Sequence, residues 1–176
     1  MELRKIVKYE NSLISLLKME WFQITLLTLI SISAPLFIKS PQILVGSIVN
    51  FALYFSARKF DFKKTLPSIL LPSLIAYSTN ILLNGATYFL LYFIPIIFIG
   101  NGVYVLLNRY INNRFLSVIV SSLCKSLLLY ISAIVFVNGI GLPDIFLNSM
   151  GIMQLYTGLI GGTIAILMLK IKTSDC

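Results

Sequence analysis

The sequence predicts an all-α protein, an integral membrane bundle of six transmembrane helices preceded by an amphipathic interfacial helix. Three observations carry this prediction: the composition, the length of the apolar runs and the placement of the basic residues. Of the 176 residues, 58% are hydrophobic and only 11% are charged, whereas roughly 25% are charged in ordinary soluble domains. One soluble domain of this length could not bury so much apolar surface, but a bilayer accepts it.

Apolar runs of membrane length fill the chain after residue 21. Crossing about 30 Å of hydrocarbon takes about 20 helical residues, and little sequence remains between the runs for loops. We therefore predict one transmembrane domain over 22–176, without a separate soluble catalytic module. Its spans are predicted near 22–38, 43–57, 66–83, 86–108, 115–138 and 152–170.

Residues 1–21 differ from the rest of the chain. Apolar residues recur there at helical spacing, and a polar and basic stripe lies opposite them. That pattern is typical of a helix lying in the headgroup layer, with its basic face toward anionic lipid. An irregular cytoplasmic arm is the alternative. The apolar stripe comprises Leu3, Ile6, Val7, Leu13, Ile14, Leu17 and Trp21.

The basic residues indicate the orientation of the bundle. Twelve of the fourteen lysines and arginines precede the first predicted span, follow the sixth, or join spans 2 to 3 and 4 to 5. Of the other two, Lys39 lies in an opposite loop and Lys125 lies inside span 5. The positive-inside rule then predicts a multi-pass protein of the plasma membrane with both termini in the cytoplasm. Because these cations fall between apolar runs and form no single patch, we expect no nucleic-acid partner despite the net charge of +8.

A lysine in the middle of a span is costly, at about 2.5–3.5 kcal/mol on insertion scales. Lys125 is such a residue, and no aspartate or glutamate lies within the apolar core of any predicted span. Asn50, Asn101 and Thr163 are expected at similar depth, so we predict an intramembrane polar cluster of these four residues. One interpretation is that Lys125 is a packing device held by amides and backbone carbonyls. The other is that it serves an anionic ligand or a conformational latch.

Prolines interrupt two of the predicted spans, Pro72 in the third and Pro95 in the fourth. A proline frees a carbonyl in the preceding turn, and broken transport helices use such carbonyls to line polar cavities. A simple kink is the alternative, because proline is common in membrane helices.

Polar and aromatic side chains gather in the half of the bundle predicted to face outward. Amides combined with aromatic faces are suited to a small planar or polar organic ligand, although tyrosine belts also occur without one. The candidate substrate-binding residues are Gln42, Tyr77, Asn80, Asn84, Tyr88, Tyr92, Tyr130 and Gln154.

Small residues line one face of the sixth predicted span. Gly158, Gly161, Gly162 and Ala165 recur at i, i+3, i+4 and i+7, and such a face lets two helix backbones approach closely. The partner is either another span of this chain, which we favour, or another protein.

Several kinds of chemistry are not expected. The chain has no histidine, so a histidine-based nucleophile pair is excluded, and neither a carboxylate dyad, a metal-ligand cluster nor a phosphate-loop fingerprint occurs. We expect no enzyme, no cofactor and no metal site. A carrier driven by carboxylate protonation is not expected either, because no intramembrane carboxylate exists.

The architecture and three stretches, 41–50, 66–73 and 91–101, resemble the substrate-binding S components of energy-coupling-factor (ECF) type ABC transporters. The resemblance covers residues 22–170 and implies a ligand captured from outside, between the outward helix ends. It also implies a transmembrane coupling subunit and a pair of ATPase subunits as partners. S components dock through alanines spaced A-x-x-x-A in the first span, where this chain has Thr28, Ser31 and Ala34. The Gly158–Ala165 face is the substitute we predict. Metal-specific members use an N-terminal histidine, so nickel or cobalt is not expected.

The leading hypothesis is therefore a substrate-capture subunit for a small organic nutrient, such as a vitamin or cofactor precursor, energised by partner subunits. A non-transporting accessory subunit, whose polar residues only pack helices, is the alternative. A self-contained secondary transporter would need a coupling-ion site that the sequence does not show.

Overall fold

The computed structural model describes residues 19–38, 41–79 and 86–174, which form helices and contain no strand. The all-α prediction is thus confirmed. Six of the helices have 18 residues or more, and one short helix and a 3-10 turn complete the described part. The helices are α1 (Glu20–Phe37), α2 (Gln42–Lys59), α3 (Phe62–Thr79), α4 (Leu90–Tyr110, after the 3-10 turn Ala86–Phe89), α5 (Arg114–Ile140), α6 (Ile145–Met150) and α7 (Ile152–Ser174).

The long helices coincide with the predicted spans, with shifts at their ends. Helix α3 begins four residues earlier than the predicted span 66–83, and residues 80–83 lie outside the described part. Residues 1–18 of the predicted amphipathic helix over 1–21 also lie outside it, and Glu20 and Trp21 already belong to α1. The short helix α6 was not predicted.

Four helical segments are long and apolar enough to cross a membrane. They are Glu20–Phe37, Ala86–Tyr110, Arg114–Ile140 and Ile145–Lys170. Helices α2 and α3 are as long as α1, but they are less apolar because charged residues occupy Arg58–Lys59 and Lys63–Lys64 at their ends. Large apolar side chains are exposed along the middle of the segments that qualify, for example Leu29, Ile99, Ile131 and Ile160. An exterior of this kind is expected of a protein surrounded by lipid.

Helix α2 lies at the centre of the bundle and packs against α1, α3, α4 and α7. Its contact with α7 is the most extensive between any two helices of the described part. Helix α5 completes the arrangement by packing against α4, α6 and α7. The central position of α2 explains why a helix with a buried asparagine and buried serines is tolerated there, since neighbouring helices and not lipid surround those groups.

The two ends of the bundle differ in charge. We call one the basic end, where the connections 60–61 and 111–113 lie, and the other the distal end, where the connections 38–41, 80–85 and 141–144 lie. Apart from Lys125, every lysine and arginine whose side chain is described lies at the basic end. These residues are Arg58, Lys59, Lys63, Lys64, Arg109, Arg114 and Lys170.

The core has a hydrophobic cluster in each half. In the half toward the basic end, Tyr54 and Tyr104 are fully buried among aliphatic side chains. In the distal half, Phe93 stacks on Phe146 of α6 with ring centroids 4.9 Å apart. Helix α6 therefore closes the distal end by placing one aromatic ring in the core. The turn before it begins at Gly141, whose φ of 72° favours glycine.

Candidate functional site

A partly open cavity lies between the helices in the distal half of the bundle. It extends from Lys125 of α5 to Gln42 and Gln154 at the first turns of α2 and α7. Its volume is about 100 Å³, which is small beside the roughly 300–1,000 Å³ of pockets for drug-sized ligands. Apolar side chains form most of the wall, and a few polar groups converge in it, as is typical of a ligand site.

Lys125 lies at the deep end of this cavity and is 2% exposed. Its ammonium group donates a 2.7 Å hydrogen bond to Asn50 Oδ1 of α2 and lies 5.4 Å from the centroid of the Tyr104 ring. The acidic side chains of the described residues are Glu20, Asp61 and Asp144, all at or beside helix ends. No carboxylate of the described part therefore compensates the charge on Lys125.

Asn101 of α4 enters the same cavity and is 2% exposed. Its Nδ2 donates a 2.9 Å hydrogen bond to the carbonyl oxygen of Ile69, in the turn of α3 that precedes Pro72. Its Oδ1 is buried without a hydrogen-bond partner. Buried polar atoms are almost always paired, so this free acceptor marks a place where a donor from outside the chain would be stabilised.

Thr163, predicted as the fourth member of the polar cluster, does not join it. The side chain is exposed on the outer face of α7, and Thr157 takes its place. Asn50 Nδ2 donates to Thr157 Oγ1 over 3.0 Å, and Thr157 Oγ1 donates to the carbonyl oxygen of Gln154 over 3.2 Å. Six residues of α-helix rotate a side chain by about 600°, or ~240° net, so Thr163 is directed away from the face that carries Thr157.

The predicted substrate-binding residues separate into three groups. Gln42 and Gln154 line the cavity, and Gln42 Nε2 lies 3.5 Å from the carbonyl oxygen of Ser149 in α6. The four tyrosines lie outside the cavity lining: Tyr77 is half-buried beside Tyr88, with ring centroids 6.4 Å apart, while Tyr88, Tyr92 and Tyr130 are exposed. Asn80 and Asn84 lie outside the described residues.

The small-residue face of α7 packs inside the chain. A Cβ atom at Gly161 would lie 2.7 Å from the backbone nitrogen of Phe51 in α2, and one at Gly158 would lie 2.6 Å from Ser122 Oγ in α5. Gly162 approaches Val118 of α5 equally closely, and Ala165 is fully buried. Of the two partners considered for this face, the structure shows the favoured one, other helices of the same chain, because α2 and α5 cover it. Thr28, Ser31 and Ala34 of α1 are buried as well.

A second group of buried polar side chains continues from Lys125 toward the basic end. Asn108 Nδ2 donates to Ser121 Oγ over 2.7 Å, and Arg58 donates to Ser117 Oγ and to the carbonyl oxygen of Ile111, each over 2.9 Å. Asn108 Oδ1 is buried without a hydrogen-bond partner. Together with the cavity, these residues form a polar interior that runs along α5.

The sequence contained a signal for this polar interior. Ser117, Ser121, Ser122 and Lys125 recur at i, i+4, i+5 and i+8, which places them on one face of α5. Helical spacing of the serines, in addition to the depth of the lysine, would have identified the group. The same spacing could have identified Thr157: Gly161 and Ala165 follow it at i+4 and i+8, so the three residues lie on one face of α7.

Comparison of the chain with protein-family models, with curated proteins and with solved structures finds no match. The fold and site by themselves define an all-helical protein with four helical segments suited to a bilayer. Its interior cavity combines one lysine with several amides.

Proposed function

We propose that the chain is a six-span protein of the plasma membrane that captures a small organic nutrient from outside, as the substrate-binding subunit of a transporter. The cavity in the distal half of the bundle is the observation that carries the proposal. Five side-chain atoms of the described residues are buried without a hydrogen-bond partner, and one of them belongs to a residue that lines this cavity. Here Asn101 keeps a buried, unpaired acceptor within the cavity wall.

The orientation rests on the charge of the two ends. Cations collect in the cytoplasmic loops of membrane proteins, so the basic end is assigned to the cytoplasm. Both termini then lie in the cytoplasm, and the cavity faces outward. Helices α2 and α3 count as spans in this proposal because they are as long as α1 and pack within the bundle, where lipid need not accept their polar residues.

Release of the captured molecule is assigned to partner subunits. The resemblance to S components implies a transmembrane coupling subunit and ATPases, and no phosphate-binding fingerprint occurs in this chain. Since the Gly158–Ala165 face is occupied within the chain, the docking surface has to lie elsewhere. Within the described residues, the basic end and the exposed apolar faces of α1, α4, α5 and α7 are available for docking.

The test is whether the full chain, purified in mild detergent, retains or binds a small molecule. Mass spectrometry of the denatured protein identifies a retained ligand, and melting curves with a panel of vitamins and cofactor precursors identify added ones. Val49→Phe fills the cavity wall and is expected to abolish any such shift. Val135→Phe makes the same change on the exposed surface of α5 and is expected to leave the shift intact.

The competing function is a non-transporting accessory subunit. One observation favours it: the chain of hydrogen bonds from Lys125 through Asn50 and Thr157 to the Gln154 carbonyl closes within the protein. Recovery of no ligand, together with equal melting behaviour of the Val49 and Val135 variants across the panel, would decide for the accessory role.

A further inference from the structure

We propose that the cavity binds a small organic carboxylate carrying a hydroxyl or amino group, with the carboxylate on Lys125 Nζ and the donor group on Asn101 Oδ1. This inference rests on the proposed capture function and names the chemical class of the substrate. In this proposal Lys125 of α5 and Asn101 of α4, both buried, each bind one polar group of the ligand.

The lysine determines the charge of the ligand. Lys125 is 2% exposed, and within the described residues its ammonium group has one hydrogen bond, to a neutral amide. The described carboxylates are remote in the fold and two of them are already paired, Glu20 with Lys64 and Asp61 with Arg109. A buried cation without an opposite charge is costly, and a carboxylate beside it would remove that cost while accepting two short, charge-assisted hydrogen bonds.

The asparagine determines what else the ligand carries. Asn101 Nδ2 is held by the Ile69 carbonyl, which fixes the amide plane and leaves Oδ1 without a donor. An acceptor fixed in this way selects a ligand with an N–H or O–H group, because an apolar analogue would leave the acceptor buried and unpaired.

The walls and volume restrict the size of the ligand. Val45, Val49, Leu90 and Ile97 line the same cavity and would supply apolar contact to a short aliphatic stem. A cavity of about 100 Å³ is well below the roughly 300–1,000 Å³ of pockets for drug-sized ligands. The geometry therefore points to a hydroxy or amino acid of a few carbon atoms and not to a fused-ring vitamin.

Three probes of nearly equal size test the recognition without any mutation. Glycolate carries both groups, propionate replaces the hydroxyl by a methyl group, and glycolamide replaces the carboxylate by a neutral amide. Binding to the full chain in detergent is measured by calorimetry and by melting shift at constant ionic strength. We expect glycolate to bind at least about tenfold more tightly than either analogue, the loss expected when a buried polar group is left unpaired. Equal affinity for glycolate and glycolamide would overturn the proposal.

Substitutions then assign each preference to its residue. Lys125→Met should remove the preference for glycolate over glycolamide, and Asn101→Leu should remove the preference for glycolate over propionate. Lys63→Met changes an exposed lysine at the basic end and should alter neither. Retention of the carboxylate preference in Lys125→Met protein of unchanged melting temperature would also overturn the proposal.

The outcome separates this inference from the capture function. If a neutral vitamin binds in a manner abolished by Val49→Phe while all three probes fail, the capture function stands and the carboxylate site is refuted. If neither the panel nor the probes bind, both are refuted. Glycolate binding that depends on Lys125 and Asn101 supports both.

Discussion

Lys125 Nζ donates a 2.7 Å hydrogen bond to Asn50 Oδ1 and thereby joins α5 to α2 at the deep end of the cavity. Neither side chain is more than 2% exposed. The pair is energetically asymmetric. Loss of the lysine leaves a neutral amide that still bonds Thr157, whereas loss of the asparagine leaves a buried cation without its acceptor, which is the costlier defect.

This asymmetry predicts a specific pattern of stabilities. Asn50→Leu should lower the free energy of unfolding by about 3 kcal/mol, and Lys125→Met should lower it by clearly less. The double variant should be more stable than Asn50→Leu alone, because no buried charge remains. Denaturant unfolding in detergent provides the measurement, and Thr157→Val controls for the second hydrogen bond of Asn50. If the double variant lost as much unfolding free energy as the two single variants together, the larger cost of losing Asn50 could not come from a buried charge on Lys125.

The glycine face of α7 predicts that two glycine-to-alanine substitutions, one on this face and one away from it, differ in their effect on the free energy of unfolding. Gly161→Ala places a methyl group 2.7 Å from the Phe51 backbone nitrogen, and backbone cannot yield as a flexible side chain does. We expect a loss of about 1–3 kcal/mol, the range for overpacking a close contact. Gly102→Ala in α4 is the matched control, since nothing lies within 4 Å of its added Cβ. That variant should be neutral or slightly stabilising in the same unfolding experiment, because alanine favours helix over glycine. Equal losses in both variants would argue that α2 and α7 are not in close contact.

The positions of the long helices could be predicted because apolar runs of membrane length carry their own signal. The depth of Lys125, Asn50 and Asn101 could be predicted for the same reason, since depth follows from counting residues along a span. The direction in which a side chain points around the helix axis does not follow from that count. Thr163 is exposed on α7 and lies six residues, or about 9 Å at 1.5 Å per residue, from Thr157, which joins the cluster instead, because the neighbouring helices decide which residues of α7 turn inward.

The short helix α6 illustrates another limit. Pro143 and Asp144 precede it, and both are residues that commonly begin helices. Six residues are too few for a periodic pattern to stand out, and an isolated helix of that length is unstable. The helix persists because Phe146 and Met150 insert into the distal core, a tertiary effect that a single sequence does not display.

The basic end contains a half-buried arginine whose loss should be costly. Arg58 donates to the Ile111 carbonyl and to Ser117 Oγ, each over 2.9 Å, and so ties α2 to the connection between α4 and α5. Arg58→Met retains most of the side-chain volume but removes both bonds, leaving two acceptors unpaired. We expect a loss of about 2 kcal/mol in unfolding free energy.

The matched comparison at that end is Asp61→Asn. Asp61 pairs with Arg109 over 3.1 Å, but its side chain is 72% exposed, and exposed ion pairs contribute about 0–1 kcal/mol. In the same denaturant titration, Asp61→Asn should therefore lower the free energy of unfolding clearly less than Arg58→Met does. A larger effect at Asp61 than at Arg58 would show that charge, and not burial, governs the stability of the basic end.

The orientation of the bundle can be tested with single cysteines at the two ends of α5. This helix has 27 residues, or about 40 Å at 1.5 Å per residue, enough to cross the hydrocarbon layer. Asn112 precedes the helix at the basic end and Asp144 follows it at the distal end, and both are exposed. Asn112→Cys and Asp144→Cys would each be introduced after replacement of Cys124 and Cys176 by serine.

A membrane-impermeant maleimide added to intact cells should label Asp144→Cys and spare Asn112→Cys until the membrane is permeabilised. The physical reason is the retention of lysine and arginine on the cytoplasmic side, to which the basic end is assigned. A control in which only Cys176 is replaced, so that Cys124 remains, should resist labelling under both conditions, because Cys124 is exposed on α5 and would face lipid in the proposed bundle. The reverse pattern would invert the bundle and place the cavity toward the cytoplasm. Labelling of both introduced cysteines from one side would mean that α5 does not cross the bilayer, and the capture of a nutrient from outside would then have no structural basis.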